Sequence, residues 1–302
     1  MNQKYYSNGK LLFTGEYVVL DGANALAFPT KFGQSMSVTK IKEPKIIWKS
    51  FNCNDELWLH YEFSINDIEL PQNKIGDEKD RLISIFKEAK KLNPKFLNKT
   101  NGYSIITQLH FEKNWGLGSS STLISNISKW ANVDPFKLLD ATFGGSGYDI
   151  AAAQSNVPIL YAKTSKRYHI TGPIINWDFT NQLFFVHLNK KQNSRDGIFN
   201  YQKLKNSNQE VIGRVNELTT NICHCQSLLE FESIINEHEQ LISKIIQQKT
   251  VKELLFNDYK GSIKSLGAWG GDFILATGNQ KDWNYFNEKG FETILSFKEM
   301  IL

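Results

Sequence analysis

The order in which the hydrophobic period changes along the chain predicts a mixed α/β (α+β) protein of two domains. Three observations carry this. The first half of the sequence passes from β-prone runs to helical periods and back. The second half is dominated by helical periods with strand-like runs on either side. Between the halves, Thr171-Gly172-Pro173 interrupts the pattern, which puts a boundary near 160–180. A chain of 302 residues, 41% of them hydrophobic, can bury one large core or two ordinary ones.

Each element has its own signal. Residues 5–13, 25–41, 45–48 and 57–61 are rich in aromatic and β-branched residues and read as strands. Over 77–92 the period changes: Leu82, Phe86 and Ala89 recur at helical spacing until Pro94 stops the run. Residues 103–111 return to strand. Residues 119–130 read as a helix, and Asp134-Pro135 opens another with proline in its first turn. Val211, Val215, Leu218 and Ile222 mark one helical face. Ser227 and Glu230 have capping-box spacing, and the apolar stripe Phe231, Ile234, Ile235, His238, Leu241, Ile242 and Ile245 follows. Strands are expected at 182–188, 272–277 and 293–297.

Composition narrows the function. A mild net charge of +4 without a basic stripe is far from a nucleic-acid-binding signature and favours an anionic small ligand only slightly. No apolar run approaches the roughly 20 residues that span a bilayer. The polar first ten residues lack an apolar signal core, so no membrane and a cytoplasmic location are expected. Three cysteines do not make a disulfide framework. Cys223-His224-Cys225 has no second pair at zinc spacing and lies in a helical pattern.

Three glycine loops and one lysine carry the chemistry. Gly116-Leu117-Gly118-Ser119-Ser120-Ser121-Thr122 lies between a strand and a helix. Its glycines admit close approach of an anion, the helix start offers N–H groups, and its hydroxyls suit phosphate or Mg²⁺. Read alone, it is equally a glycine turn before a serine N-cap. It has neither the P-loop lysine nor a third Rossmann glycine. Gly144-Gly145-Ser146-Gly147-Tyr148-Asp149 puts a carboxylate at a helix start, either a cap or a group at a phosphate site that holds Mg²⁺, orients an acceptor hydroxyl or accepts its proton. Gly267-Ala268-Trp269-Gly270-Gly271 precedes a strand and could be a simple turn. Lys10, amid small and apolar residues, is either solvated or a phosphate-neutralising cation.

Taken in order, Gly9-Lys10 with Gly15-Glu16-Tyr17, then Gly116-Leu117-Gly118-Ser119-Ser120, then Gly147-Tyr148-Asp149, then Gly267-Ala268-Trp269-Gly270-Gly271 resemble the motifs of the GHMP kinase superfamily. The likeness is strongest to its mevalonate and phosphomevalonate kinase branch. The run Gly147-Tyr148-Asp149-Ile150-Ala151 resembles the signature of the GYDIA-type subgroup. The resemblance implies an N-terminal ATP-binding domain over 1–170, a C-terminal domain over 171–302, and an active site in the cleft between them. It implies Asp149 and Lys10 as catalytic residues, and Gly116, Leu117, Gly118, Ser119, Ser120 and Ser121 as the ATP cradle. Ser119 or Ser120 would help hold Mg²⁺, with Glu112 or another acid as a companion ligand. Glu16, Tyr17, Gly147, Lys191, Ser194, Arg195, Gly267, Ala268, Trp269 and Gly270 would line the substrate site. Asn8, Asn114-Trp115 and Trp269 depart from the family pattern, and Trp269 does so where glycine is expected.

The expected reaction is in-line transfer of the ATP γ-phosphoryl group to a small anionic alcohol or phosphate, with mevalonate or its phosphate as first choice, in isoprenoid biosynthesis. Trp269 motivates an alternative, a non-catalytic nucleotide- or metabolite-binding homologue. A homodimer is left open. A serine hydrolase is disfavoured because 144–148 is not a Gly-x-Ser-x-Gly elbow, and a protein kinase because its His-Arg-Asp and Asp-Phe-Gly elements are missing.

Overall fold

The structure, a computed structural model, describes residues 2–69, 77–97, 100–164, 167–192, 194–204 and 209–302, with only the backbone of Ser194 and Arg195. The chain packs as two compact units, each built from segments that are discontinuous in sequence. The first comprises Met1–Gly9, Phe32–Lys113 and Leu117–Gln154; the second comprises Lys10–Lys31, Asn114–Gly116 and Ser155–Leu302.

Two strands, β1 (Asn2–Leu12) and β2 (Ala25–Ile41), each start in one unit and end in the other. The first unit adds β3 (Lys45–Phe51), β4 (Leu57–Ser64), α1 (Glu78–Leu92), β5 (Gly102–Leu109), α2 (Ser119–Ala131), α3 (Pro135–Thr142) and α4 (Tyr148–Ala153). Its strands run in the order β4-β3-β5-β2, with β3 and β5 parallel and the other neighbours antiparallel. The helices bury their apolar faces together with Met36, Val38, Ile46, Trp48 and Ile105 of the sheet. Phe86 of α1 sits at the centre, edge-on to Trp48 and Trp130 at 5.8 and 5.9 Å between ring centroids. The helix starts are those the sequence predicts. Asp77 accepts from Asp80 N, and Asp134 accepts from Phe136 N and Lys137 N with Pro135 next to it.

The second unit holds β6 (Ile159–Lys163), β7 (Tyr168–Thr171), β8 (Leu183–His187), α5 (Ser194–Leu204), α6 (Gln209–His224), α7 (Leu228–Ile246), α8 (Val251–Leu255), β9 (Ile263–Ser265), β10 (Phe273–Thr277), α9 (Trp283–Glu288), β11 (Ile294–Ser296) and α10 (Phe297–Met300). Residues 25–27 of β2 pair with β6, which pairs with β7. A separate antiparallel sheet has the order β11-β8-β10-β9. Every residue of β8 and β10 is buried, so these two strands are covered on both faces.

Two predicted details differ. Ser227 caps α7 by accepting from Glu230 N, but the Glu230 carboxylate accepts from Gln226 N, so only half of the reciprocal box forms. The strand expected over 293–297 ends at Ser296, because Ser296 and Glu299 form a full capping box that turns Phe297 into a helix. No helix among the described residues is long and apolar enough to cross a membrane.

Candidate active site

In the first unit, α2 starts directly after the glycine-serine loop. Its N-cap is Gly118, left-handed at φ +88°, with no side-chain cap. The first-turn amides therefore lack the side-chain acceptor that a serine N-cap would supply, and they stay available to an anion. The three serines are not equivalent. Ser120 is exposed and Ser119 half-buried, whereas Ser121 is buried and donates to Gly118 O at 2.8 Å. Leu117 is fully buried, so it anchors the loop and offers a ligand only backbone.

A buried network of neutral side chains, joined at Ser7 Oγ by the Lys129 ammonium at 3.1 Å, holds α2 against β1 and β2. Thr122 donates to Gln34 Oε1 at 2.9 Å, and Asn126 Nδ2 donates to Gln34 O at 2.9 Å. The Ser7 hydroxyl lies 2.8 Å from Ser125 Oγ and 2.9 Å from Asn126 Oδ1. At the far end of α2, a cavity of about 330 Å³ lies beside Trp130 and Asn132, away from the loop.

Asp149 stands in the first turn of α4, half-buried, with Oδ1 accepting from Ile150 N at 3.0 Å; the N-cap is Gly147, at φ +92°. Glu112 is exposed and hydrogen-bonds the Cys53 thiol. Burial first, and then that carboxylate, push the thiol up to about 11.

In the second unit, Lys10 Nζ donates to Gly116 O at 2.8 Å, which joins two motifs 106 residues apart. Against the same glycine lies a carboxylate that the sequence reading did not nominate, Asp272. A Cβ on Gly116 would overlap the Asp272 carboxyl group and sit 2.7 Å from its Oδ1. Burial pushes the Asp272 carboxyl up, while the Gln192 N–H and the charges of Lys10, Lys191 and His187 pull the other way.

The third glycine loop is tied to the first motif. Trp269 N donates to Tyr17 Oη at 3.2 Å, and Tyr17 stacks on Tyr201. The Trp269 ring is 2% exposed, packed in a core with Tyr17, Val18, Ala23, Val215 and Ile242. The tryptophan is therefore a core residue. Gly270, at φ +91°, keeps its backbone exposed. Ala268 is buried, Gly267 half-buried and Lys191 exposed. Ser194 and Arg195 open α5, and their side chains lie outside the described residues.

Glu16 does not face solvent. It is fully buried and accepts from Lys264 Nζ at 2.6 Å. Lys264 also donates to Glu239 Oε1 at 3.3 Å and Ser265 O at 3.1 Å. The ammonium thus fills the cation position among Glu16, His238 and Glu239, the group whose side-chain spacing would suit a metal. His238 Nε2 accepts from Gly15 N, and burial followed by the Lys264 charge holds the imidazole well below its ordinary range. Its 3.5 Å approach to Glu16 is accordingly not an ion pair. Burial holds Glu16 above the usual carboxylate range and Glu239 up at about 7, against the pull of Lys264. Cys223 and Cys225 are buried, and burial pushes their thiols up to about 11 and about 12, so neither offers a thiolate at neutral pH.

The whole chain superposes on small-molecule kinases. It matches Methanococcus jannaschii mevalonate kinase at a TM-score of 0.72 and 14% identity, over 98% of this chain and 97% of that one. It matches Streptococcus pneumoniae phosphomevalonate kinase, in complex with phosphomevalonate and AMPPNP, at 0.70 and 15%, over 97% and 99%. Lactococcus lactis galactokinase complexed with galactose follows at 0.69 and 12%, over 95% and 88%. The chain has the GHMP kinase fold. No protein-family model and no curated protein matches it significantly in sequence. The GHMP kinase fold is thus retained here on very different side chains, and fold alone does not assign chemistry.

Proposed function

We propose that this protein is an ATP-dependent small-molecule kinase that transfers the γ-phosphoryl group to an anionic alcohol or phosphate. The observation that carries this reading is the Lys10 ammonium seated on the Gly116 carbonyl, which brings the lysine of the first motif to the first residue of the glycine-serine loop. A lysine ammonium fixed at a glycine-rich turn suits a phosphate-bearing ligand.

In this reading the backbone of residues 116–121 cradles the ATP phosphates. Lys10 offsets their charge, since phosphoryl transfer relies on positioning and charge neutralisation. Ser119 or Ser120, with Glu112, are the residues to hold Mg²⁺, which supplies further neutralisation when bound; the exposed Ser120 hydroxyl fits that use, and the inward-turned Ser121 does not. Asp149 orients the acceptor and takes the proton of an alcohol; for a phosphate acceptor, orientation suffices. The acceptor proposed first is mevalonate or phosphomevalonate, which would place the enzyme in isoprenoid synthesis. That choice follows the motif likeness and the small-molecule substrates named for the matching kinases. Gly147, Gly267, Ala268, Gly270, Lys191, Ser194 and Arg195 are proposed to surround it, with Tyr17, Glu16 and Trp269 acting from behind as supports. The test is acceptor-dependent ADP release from Mg·ATP with mevalonate, phosphomevalonate and a set of sugars. Release with a member of the first pair is expected. ATP binding without release for every acceptor would favour a non-catalytic binding protein.

A further inference from the structure

We propose that Asp272 is a positioning residue for the transfer reaction, its carboxylate fixing Gly116 and the Lys10 ammonium as one assembly at the mouth of the glycine-serine loop. The inference deepens the kinase reading and rests on it for its catalytic consequence.

Space is the first argument. Gly116 has φ +69°, which already favours glycine. The carboxylate of Asp272 also occupies the room that any side chain at 116 would need. Part of the glycine requirement at this turn is therefore a requirement for Asp272.

The second argument is the backbone of Asp272 itself. Its φ is +54°, a left-handed conformation that glycine adopts without strain. Two glycines stand directly before it, so a third would be the cheaper residue on conformational grounds. The aspartate is held there from both ends. Its N–H donates to Lys190 O at 2.7 Å, its carbonyl accepts from Leu188 N at 2.8 Å, and Oδ1 accepts from Gln192 N at 3.1 Å. A strained residue gripped this way points to a use for its side chain.

Charge is the third. Lys10 is half-buried and donates to a neutral carbonyl. A nearby carboxylate favours its charged form, because the attraction that Lys10 exerts on Asp272 is mutual. Lys191 and His187 also face this carboxylate and oppose the upward push of burial. Asp272 thus holds Lys10 ready as a cation before any phosphate arrives.

The experiment compares wild type with D272N, which keeps the shape and the Gln192 bond but loses the charge, and with D272G, which also relieves the left-handed strain. Competitive acetylation of Lys10, followed by mass spectrometry across the alkaline range, reads its charge without any substrate. Lys10 of D272N and D272G should react at lower pH than in wild type. Acceptor-dependent ADP release should show kcat lower by about 10- to 100-fold, the acceptor KM within about twofold, and the alkaline fall-off of kcat moved to lower pH. Unchanged Lys10 reactivity, or wild-type kcat in folded D272N, overturns the proposal. A shifted Lys10 titration in a protein that releases no ADP with any acceptor would instead sink the kinase reading and leave the Asp272–Lys10 assembly standing.

Discussion

The two units solve the same problem, holding a glycine-rich loop on a packed base, with opposite chemistry. Under the glycine-serine loop, Ser7, Gln34, Thr122, Ser125 and Asn126 are buried and neutral, joined by hydrogen bonds of 2.8–2.9 Å. Beneath the first motif and the third glycine loop, Glu16, Glu239 and Lys264 are buried and ionisable, with a neutral His238 beside them. A satisfied network of neutral side chains costs little to bury and, the Lys129 ammonium at Ser7 apart, holds no group that titrates. A buried charged one carries a large desolvation cost, depends on every partner, and titrates. The comparison teaches that the third loop is the support most easily dislodged, by mutation or by pH.

The largest effect should come from breaking the charged network. Lys264→Met leaves Glu16 and Glu239 without their cation and is expected to lower stability by about 3–5 kcal/mol in urea unfolding. A loss near that of a surface substitution would show that the network is better solvated than its burial implies.

The pH response comes next. Glu239 is held up at about 7, against 4.5 for an ordinary glutamate. Between these two values the folded chain keeps a proton that the unfolded chain has released. Stability therefore falls as pH rises through that window and then levels off. Glu239→Gln should remove a part of this fall on the order of 3 kcal/mol, leaving the part owed to Glu16, which is raised for the same reason. Equal slopes in both proteins, measured by unfolding at a series of pH values, would contradict the assignment.

The neutral network should give a smaller, pH-independent effect. Thr122→Val strands the Gln34 Oε1 acceptor and is expected to cost about 1–2 kcal/mol at every pH tested. A pH-dependent cost would erase the contrast between the two units.

These contrasts bear on what could be read beforehand. Strands and long helices were legible because their apolar periods are long and their caps local, as at Asp77, Asp134 and Ser227. Strands β6, β7 and β9 and the short helices α8 and α9 were not. They are three to six residues long, too short for a period to show, and depend on pairing for their existence. The glycine loops announced themselves through composition. The reason for Gly116 did not, because Asp272 is 156 positions away and only the folded chain puts its carboxylate there. The one hint was an aspartate directly after Gly270-Gly271. Lys264 and Glu239 were likewise hidden, since a charged residue in an apolar run reads as a solvated edge until its partner is seen. Trp269 looked like an obstruction from sequence; its ring is instead part of the core under the loop.

Asp149 allows the most direct test of the function proposed. Asp149→Ala removes a half-buried carboxylate in the first turn of α4, so stability in thermal unfolding should fall by no more than about 2 kcal/mol. With the acceptor that supports the fastest ADP release, the variant should lose at least about a thousandfold in kcat while Mg·ATP still binds. Wild-type turnover by a folded Asp149→Ala protein would contradict the account.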